Sequence, residues 1–288
     1  MTSQVTEAMS FKGSVSPNWC PGCGDYGLLA STVKTLEKLG FDPHDVVIVS
    51  GIGCSSNFPH FATAYGYHTV HGRALPAALA IKSVNPDLKV IAVGGDGDGY
   101  GIGLNHFIQT IRRDIDLTYL VMNNQIYGLT LGQPSPTTSL HHITVTTPEP
   151  GVLDNPINPI TLALGAGANF VARGFSGRTH QLEELIQDGI NFPGFAFIDV
   201  LSPCVTFNRL NTYPWFKERV YNLNETGHNT SDVAAAFSKG LEWGDKIPIG
   251  LFYKKLSEKY EEIYKILEHP ITRNQTQKIC QDIVESFK

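Results

Sequence analysis

The sequence predicts an α/β fold: a mostly parallel sheet with helices on both faces. Three observations carry that expectation. Short β-branched runs alternate with stretches of helical apolar spacing between residues 45 and 203, the order of parallel strands joined by crossover helices. The run LTYLVMNN (117–124) is apolar on both faces, as a strand is when helices cover both sides of its sheet. Gly51-Ile52-Gly53 with Cys54, the glycines at 94–103 and Cys204 each follow a strand, on the edge where open α/β sheets bind ligands.

Taken in order, DVVIVS (45–50) is the first strand, and it stops at Gly51-Ile52-Gly53. ALPAALAIKSV (74–84) reads as a helix with Pro76 in its first turn, where a missing N–H costs little. KVIAVGG (89–95) is the next strand; Leu104, Phe107, Ile108 and Ile111 then form one apolar stripe over residues 102–113. After the strand at 117–124 comes a loop rich in Gly and Pro, from 125 to about 156. A helix at 157–166, a strand at 170–175, a helix at 179–190 and a last strand at 195–203 complete the alternation. From residue 205 the chain turns aromatic and polar, and from 253 it is charged and expected to be helical. With no linker composition and no internal repeat, the expectation is one domain, 1–204, with a C-terminal extension, 205–288.

The 288 residues carry a net charge of -5, which argues against a general nucleic-acid binder and gives no reason to invoke a membrane. No apolar run approaches the roughly 20 residues that span a bilayer. MTSQVTEAMSFKGS lacks the basic and apolar blocks of a signal peptide, so a cytoplasmic location is expected, where structural disulfides are rare.

The chemistry concentrates in VIAVGGDGDGYGIG (90–103), where a strand empties into glycines alternating with Asp96 and Asp98. A tight strand-to-helix turn explains those residue types. It does not explain their spacing from a second polar pair. A helix and a parallel strand bring the chain back to the same edge at Asn123-Asn124, about 25 residues later. Asp96 and Asn124 can therefore meet over one ion, and their hard oxygens suit Mg²⁺, which also takes phosphate oxygens. A helix starting near Gly101 would aim its N–H groups at a diphosphate.

Five cysteines need a separate account. Cys20-Pro-Gly-Cys23 reads as a redox dithiol, a zinc half-site or a cluster half-site; no strand precedes Trp19, as a thioredoxin-like motif requires. Cys54 and Cys204 each follow a strand, on the edge that carries the cradle. Four cysteines there make a set for Zn²⁺ or a [4Fe–4S] cluster, and the presence of only one close pair leans toward the cluster. Cys280, in the charged tail, reads as an ordinary free thiol.

The Gly-Asp-Gly and Asn-Asn pair resembles thiamine-diphosphate-binding domains. In order, WCPGCGDYG, SGIGCSS, HGRALP, VIAVGGDGDGYGIG, MNNQIYGLT, GQPSPT, VARGFSG and AFIDVLSPC resemble the β subunit of two-subunit 2-oxoacid:ferredoxin oxidoreductases, over nearly the whole chain. The resemblance implies Mg²⁺ on Asp96, Asn124 and the Ile126 carbonyl. It places Gly97, Asp98, Gly128 and Leu129 at the diphosphate, with Ile52, Gly53, Cys54, Ser55, His71, Gly95, Tyr127 and Thr130 lining the rest of the cofactor site. Cys20, Cys23, Cys54 and Cys204 would hold the [4Fe–4S] cluster. The implied reaction oxidatively decarboxylates a 2-oxoacid with coenzyme A as acyl acceptor, and ferredoxin takes the electrons. His71 would shuttle protons, with a hydrogen-bonded core histidine as the alternative; Arg73 would bind a carboxylate or pair with a neighbouring acid. The glutamate that activates thiamine is not found here. The resemblance assigns it to an α subunit that also carries the pyrimidine-binding half, in an (αβ)₂ assembly. Leu131 departs from the lysine frequent in the family, which puts 2-oxoglutarate as substrate in doubt. A thiamine-dependent non-oxidative decarboxylase or synthase subunit, and a zinc-stabilised non-catalytic scaffold, are the competing readings.

Overall fold

In a computed structural model describing residues 10–256, the strands form one eight-stranded sheet. In chain order the strands are β1 (Val46–Ser50), β2 (Tyr65–His68), β3 (Lys89–Gly95), β4 (Leu117–Asn123), β5 (Phe170–Phe175), β6 (Phe195–Leu201), β7 (Val220–Asn222) and β8 (Ile247–Lys254). Their spatial order is β2-β1-β3-β4-β6-β5-β8-β7, and every pairing is parallel except β5 with β8. The fold class expected from sequence is the one observed.

The helices are α1 (Asp25–Leu39), α2 (Ala74–Val84), α3 (Leu104–Arg113), α4 (Pro159–Gly165), α5 (Thr179–Ile190), α6 (Tyr213–Arg219) and α7 (Val233–Gly240). Apolar side chains of α2, α3, α4 and α7 pack on one face of the sheet, and those of α1 and α5 on the other. That double cover is why β4 and β6 are buried at every position and read as unbroken apolar runs rather than as alternation.

Register delivers the site. Gly95 at the end of β3 pairs with Met122 of β4, so the next residues, Asp96 and Asn123, emerge side by side. Asn123 pairs with Leu201 of β6, and Ser50 of β1 with Val93 of β3. The carboxyl ends of β1, β3, β4 and β6 thus carry Cys54, Asp96, Asn124 and Cys204 within four residues of leaving the sheet.

Several elements differ from the sequence expectation. α1 has no counterpart in it, although Leu28, Leu29, Thr32 and Leu36 form a buried stripe and Gly40, at φ 71°, closes the helix by donating its N–H to Glu37. β2 consists of four exposed residues, so it carries no apolar signature. Beyond residue 205, in the stretch read as a C-terminal extension, β8 joins the main sheet, and α6, α7 and β7 accompany it. The helix expected from 253 does not begin there, because β8 continues to Lys254; the rest of that stretch, with Cys280, lies outside the described residues. Among the described residues no helix is long and apolar enough to cross a membrane.

Candidate active site

A cavity of about 420 Å³ opens at the carboxyl edge of β1, β3 and β4. Its wall contains Ile52, Gly53, Cys54, Ser55, His71, Gly95, Asp96, Gly97, Asp98, Asn124, Ile126, Tyr127, Gly128, Leu129 and Thr130. Every residue singled out from sequence for the cofactor or Mg²⁺ therefore faces one space. Met122 and Gln133 line it as well; both fall inside the motifs MNNQIYGLT and GQPSPT, but neither is given a role from the sequence. Arg73 and Leu131 are not brought into that wall. The Arg73 guanidinium lies 3.4 Å from the Gly72 carbonyl, and Leu131 is 65% exposed on a turn with φ 78°.

Asp96 is buried, and its Oδ2 accepts from Ser135 Oγ at 2.5 Å and Thr137 Oγ1 at 2.6 Å. Loss of water pushes its carboxyl up to about 6 despite those two donors. A carboxylate buried this way favours a cation beside it. Asn124 turns its Oδ1 toward the backbone N–H of Ile126, 3.0 Å away, in a tight turn. A carboxylate, an amide oxygen and a backbone carbonyl at one cavity wall are a donor set that fits Mg²⁺.

Gly97, between the two carboxylates, and Gly51, beside Asp98, are required by close approach. A Cβ on Gly97 would lie 2.2 Å from the Tyr127 ring, which packs across the turn and donates its hydroxyl to the Gly97 carbonyl at 3.0 Å. A Cβ on Gly51 would lie 2.0 Å from Asp98 Oδ2. Asp98 itself is a brace: its Oδ1 accepts the backbone N–H groups of Ile52 (2.8 Å) and Gly72 (2.7 Å). Burial raises its carboxyl, and those two donors pull against the rise. With the carboxylate so engaged, Asp98 has its backbone, not its side chain, to offer an anion. His71 precedes Gly72, and its ring lies 6.3 Å from that of Tyr127.

Cys20, Cys23, Cys54 and Cys204 are free thiols. Burial pushes Cys54 up to about 12, with the charge of Asp25 adding to it, and drives Cys23 upward more strongly still. Cys54 lies within electrostatic reach of Cys20, Cys23 and Cys204. Yet among the described residues no three His, Cys, Asp or Glu side chains stand close enough together to hold a single metal ion. Four thiols in one neighbourhood are a donor set for Zn²⁺ or for a [4Fe–4S] cluster. Gly128 joins the two sites: a Cβ there would lie 3.5 Å from Cys54 Sγ, 3.7 Å from Cys204 Sγ and 3.8 Å from Asn124 Nδ2.

An α/β sheet with this cradle defines a thiamine-diphosphate-binding protein. Residues 51–200 match the thiamine pyrophosphate enzyme, C-terminal TPP binding domain, and residues 204–269 match the C-terminal region of the pyruvate ferredoxin oxidoreductase beta subunit. The chain belongs to the family of 2-oxoacid:ferredoxin oxidoreductase β subunits. It is 46% identical over 258 residues, 85% of its own length and 84% of its relative's, to the 2-oxoacid:ferredoxin oxidoreductase subunit beta of Saccharolobus solfataricus. It is 38% identical over 259 residues (87% and 92%) to the 2-oxoglutarate synthase subunit KorB of Methanocaldococcus jannaschii. A solved 2-oxoglutarate:ferredoxin oxidoreductase from Magnetococcus marinus, with 2-oxoglutarate, coenzyme A and succinyl-CoA bound, superposes with a TM-score of 0.87 at 37% identity, covering 99% of this chain and 98% of that one.

Proposed function

We propose that this chain is the β half of an enzyme that oxidatively decarboxylates a 2-oxoacid, passes the acyl group to coenzyme A and delivers the electrons through a [4Fe–4S] cluster to ferredoxin. The observation that carries this reading is Gly128, where a Cβ would lie within 4 Å of Cys54, Cys204 and Asn124 at once. Sites for decarboxylation and for electron export are of use together only when they adjoin.

Thiamine diphosphate, when bound, supplies the carbanion chemistry and accepts the electron pair released by decarboxylation. The side chains of Asp96 and Asn124 and the carbonyl of Ile126 would hold Mg²⁺, and Mg²⁺ would fix the diphosphate. Backbone groups of Gly97, Asp98, Gly128 and Leu129 line the space left for phosphate oxygens, which Gly97 keeps open. His71, at the wall, would hold or move a proton near the reacting carbon. Cys20, Cys23, Cys54 and Cys204 would ligate the cluster as thiolates, a state that burial disfavours at Cys23 and Cys54 unless iron compensates the charge. Among the described residues no glutamate lines the cavity. The acid that activates thiamine would therefore come from an α subunit, with the pyrimidine-binding half, in an (αβ)₂ enzyme of the cytoplasm. Residues 1–204 would carry both cofactor sites, and 205–288 would pack on them and on the partner.

The test is anaerobic purification of the complex with its native partner, then metal, sulfide and thiamine analysis. Iron and sulfide in equal amounts with bound thiamine diphosphate support the reading. Zinc on the cysteines, with no iron, overturns it.

A further inference from the structure

The loop after β4 contains the segment Ser135-Pro136-Thr137-Thr138, which backs the candidate metal site. All three hydroxyl residues are buried, with 7%, 3% and 1% of their surface exposed. Each hydroxyl is aimed at one of the two halves of the metal cradle. Ser135 Oγ and Thr137 Oγ1 both donate to Asp96 Oδ2. Thr138 Oγ1 donates to the Gln125 carbonyl at 2.7 Å, which lies between the other two candidate ligands, Asn124 and Ile126. Gln125 is at φ 58°, a left-handed conformation that is strained for a non-glycine residue and persists only where its surroundings hold it. Its side chain returns the contact, donating from Nε2 to the Thr137 carbonyl at 3.2 Å. Inside the segment, Ser135 N–H donates to Thr138 Oγ1 at 2.7 Å and Thr138 N–H to the Ser135 carbonyl at 3.1 Å, which closes the three hydroxyl residues into one hydrogen-bonded unit.

Behind this unit sits a buried anchor. Thr137 Oγ1 lies 3.0 Å from Asn123 Oδ1, and the Asn123 amide donates to Asp199 Oδ1 at 2.9 Å. Asp199 in turn accepts from Tyr100 and from the Arg173 Nε at 3.1 Å.

We infer that Ser135, Thr137 and Thr138 are positioning residues for Mg²⁺: the first two orient the Asp96 carboxylate, the third holds the strained Asn124–Ile126 turn, and together they fix the separation of the ligands. The inference rests on the Mg²⁺ cradle proposed for Asp96, Asn124 and Ile126. A role in loop packing alone would also satisfy the hydroxyls, but it would leave metal affinity untouched once the protein has folded. Partners of this kind typically set metal affinity by 10- to 100-fold.

The test is Mg²⁺ titration of the metal-stripped αβ complex with thiamine diphosphate present, read by calorimetry and by the circular dichroism of the bound cofactor. Thr137→Val and Thr138→Val keep the shape and remove the hydroxyl; each is expected to weaken Mg²⁺ binding by about 10- to 100-fold, with Thr137→Ser and Thr138→Ser restoring most of it. If Thr137→Val does not assemble, Ser135→Ala, which removes the other donor to the same oxygen, is read in its place. Valine variants that bind Mg²⁺ like the wild type, while Asp96→Ala does not bind, overturn the positioning role and leave the cradle standing. Wild-type Mg²⁺ affinity in Asp96→Ala overturns the cradle itself.

Discussion

The Asp98 carboxylate accepts the backbone N–H of Gly72 at 2.7 Å, tying the turn after β3 to a loop 26 residues earlier in the chain. Through the same oxygen it holds Ile52, so one side chain sets the loops that carry His71 and the residues leading to Cys54. Asp98→Ala would orphan two N–H groups at about 1–3 kcal/mol each. The expected result is a lower melting temperature and a kcat reduced at least as much as cofactor affinity, because His71 loses its support. Asp98→Asn, which retains an acceptor oxygen, is expected to recover most of both. Equal losses in the two variants, measured by calorimetry and steady-state kinetics, would show that the charge rather than the hydrogen bonds matters.

The oxygen cradle and the thiols adjoin but share no proposed ligand. Asp96→Ala is expected to abolish thiamine diphosphate binding with iron content unchanged. Cys204→Ser is expected to do the reverse, and Cys280→Ser neither. Equilibrium dialysis and iron analysis on the same preparations check all three. Iron lost from Cys280→Ser but retained in Cys204→Ser would refute the ligand set.

Asp199 offers a stability test. It is wholly buried and is the acid paired with Arg173, itself 1% exposed and packed against the rings of Trp243 and Phe252. Removing one member of a buried pair leaves the other charge uncompensated, at about 3–5 kcal/mol. Asp199→Leu is therefore expected to lower the melting temperature of the complex sharply, and Asp199→Leu combined with Arg173→Met to recover part of the loss. No recovery in the double variant would indicate that Tyr100 and Asn123, not Arg173, are the partners that matter.

Leu131 is expected to be a weaker determinant of substrate choice than its place in the motif suggests. It is 65% exposed and lies outside the cavity wall. A charge placed on such a surface is worth about 0–1 kcal/mol. Leu131→Lys is thus expected to change the kcat/KM ratio of 2-oxoglutarate to 2-oxobutyrate by less than about fivefold. A larger gain for 2-oxoglutarate would place the side chain against substrate in the assembled enzyme.

How far each element is legible in the sequence depends on its physics. β3, β4, β5, β6, α2 and α5 announce themselves because full burial on both faces, or a clean apolar stripe, leaves a pattern in the residues. The cradle is legible because a parallel crossover must return the chain to the same edge, which makes the Asp96–Asn124 spacing meaningful. β8 is not: Pro248 and Gly250 interrupt its run, and it joins the sheet by pairing with β5, distant in sequence. The Ser135–Thr138 unit is visible only as a motif. Its hydroxyls act on residues 13 to 41 positions away, a relationship that no local periodicity encodes. For Arg73 and Leu131, a place near substrate rests on adjacency to the motif, and adjacency in a loop does not fix where a side chain points.

Coupling between decarboxylation at the cradle and the thiols beside it is the central claim. The direct measurement is anaerobic mixing of the αβ complex with a 2-oxoacid, coenzyme A and oxidised ferredoxin, monitoring visible absorbance and product together. The predicted result is bleaching of the cluster band, reduction of ferredoxin and formation of the acyl-CoA, all lost in Cys204→Ser. Release of carbon dioxide and an aldehyde, with ferredoxin still oxidised, would contradict it.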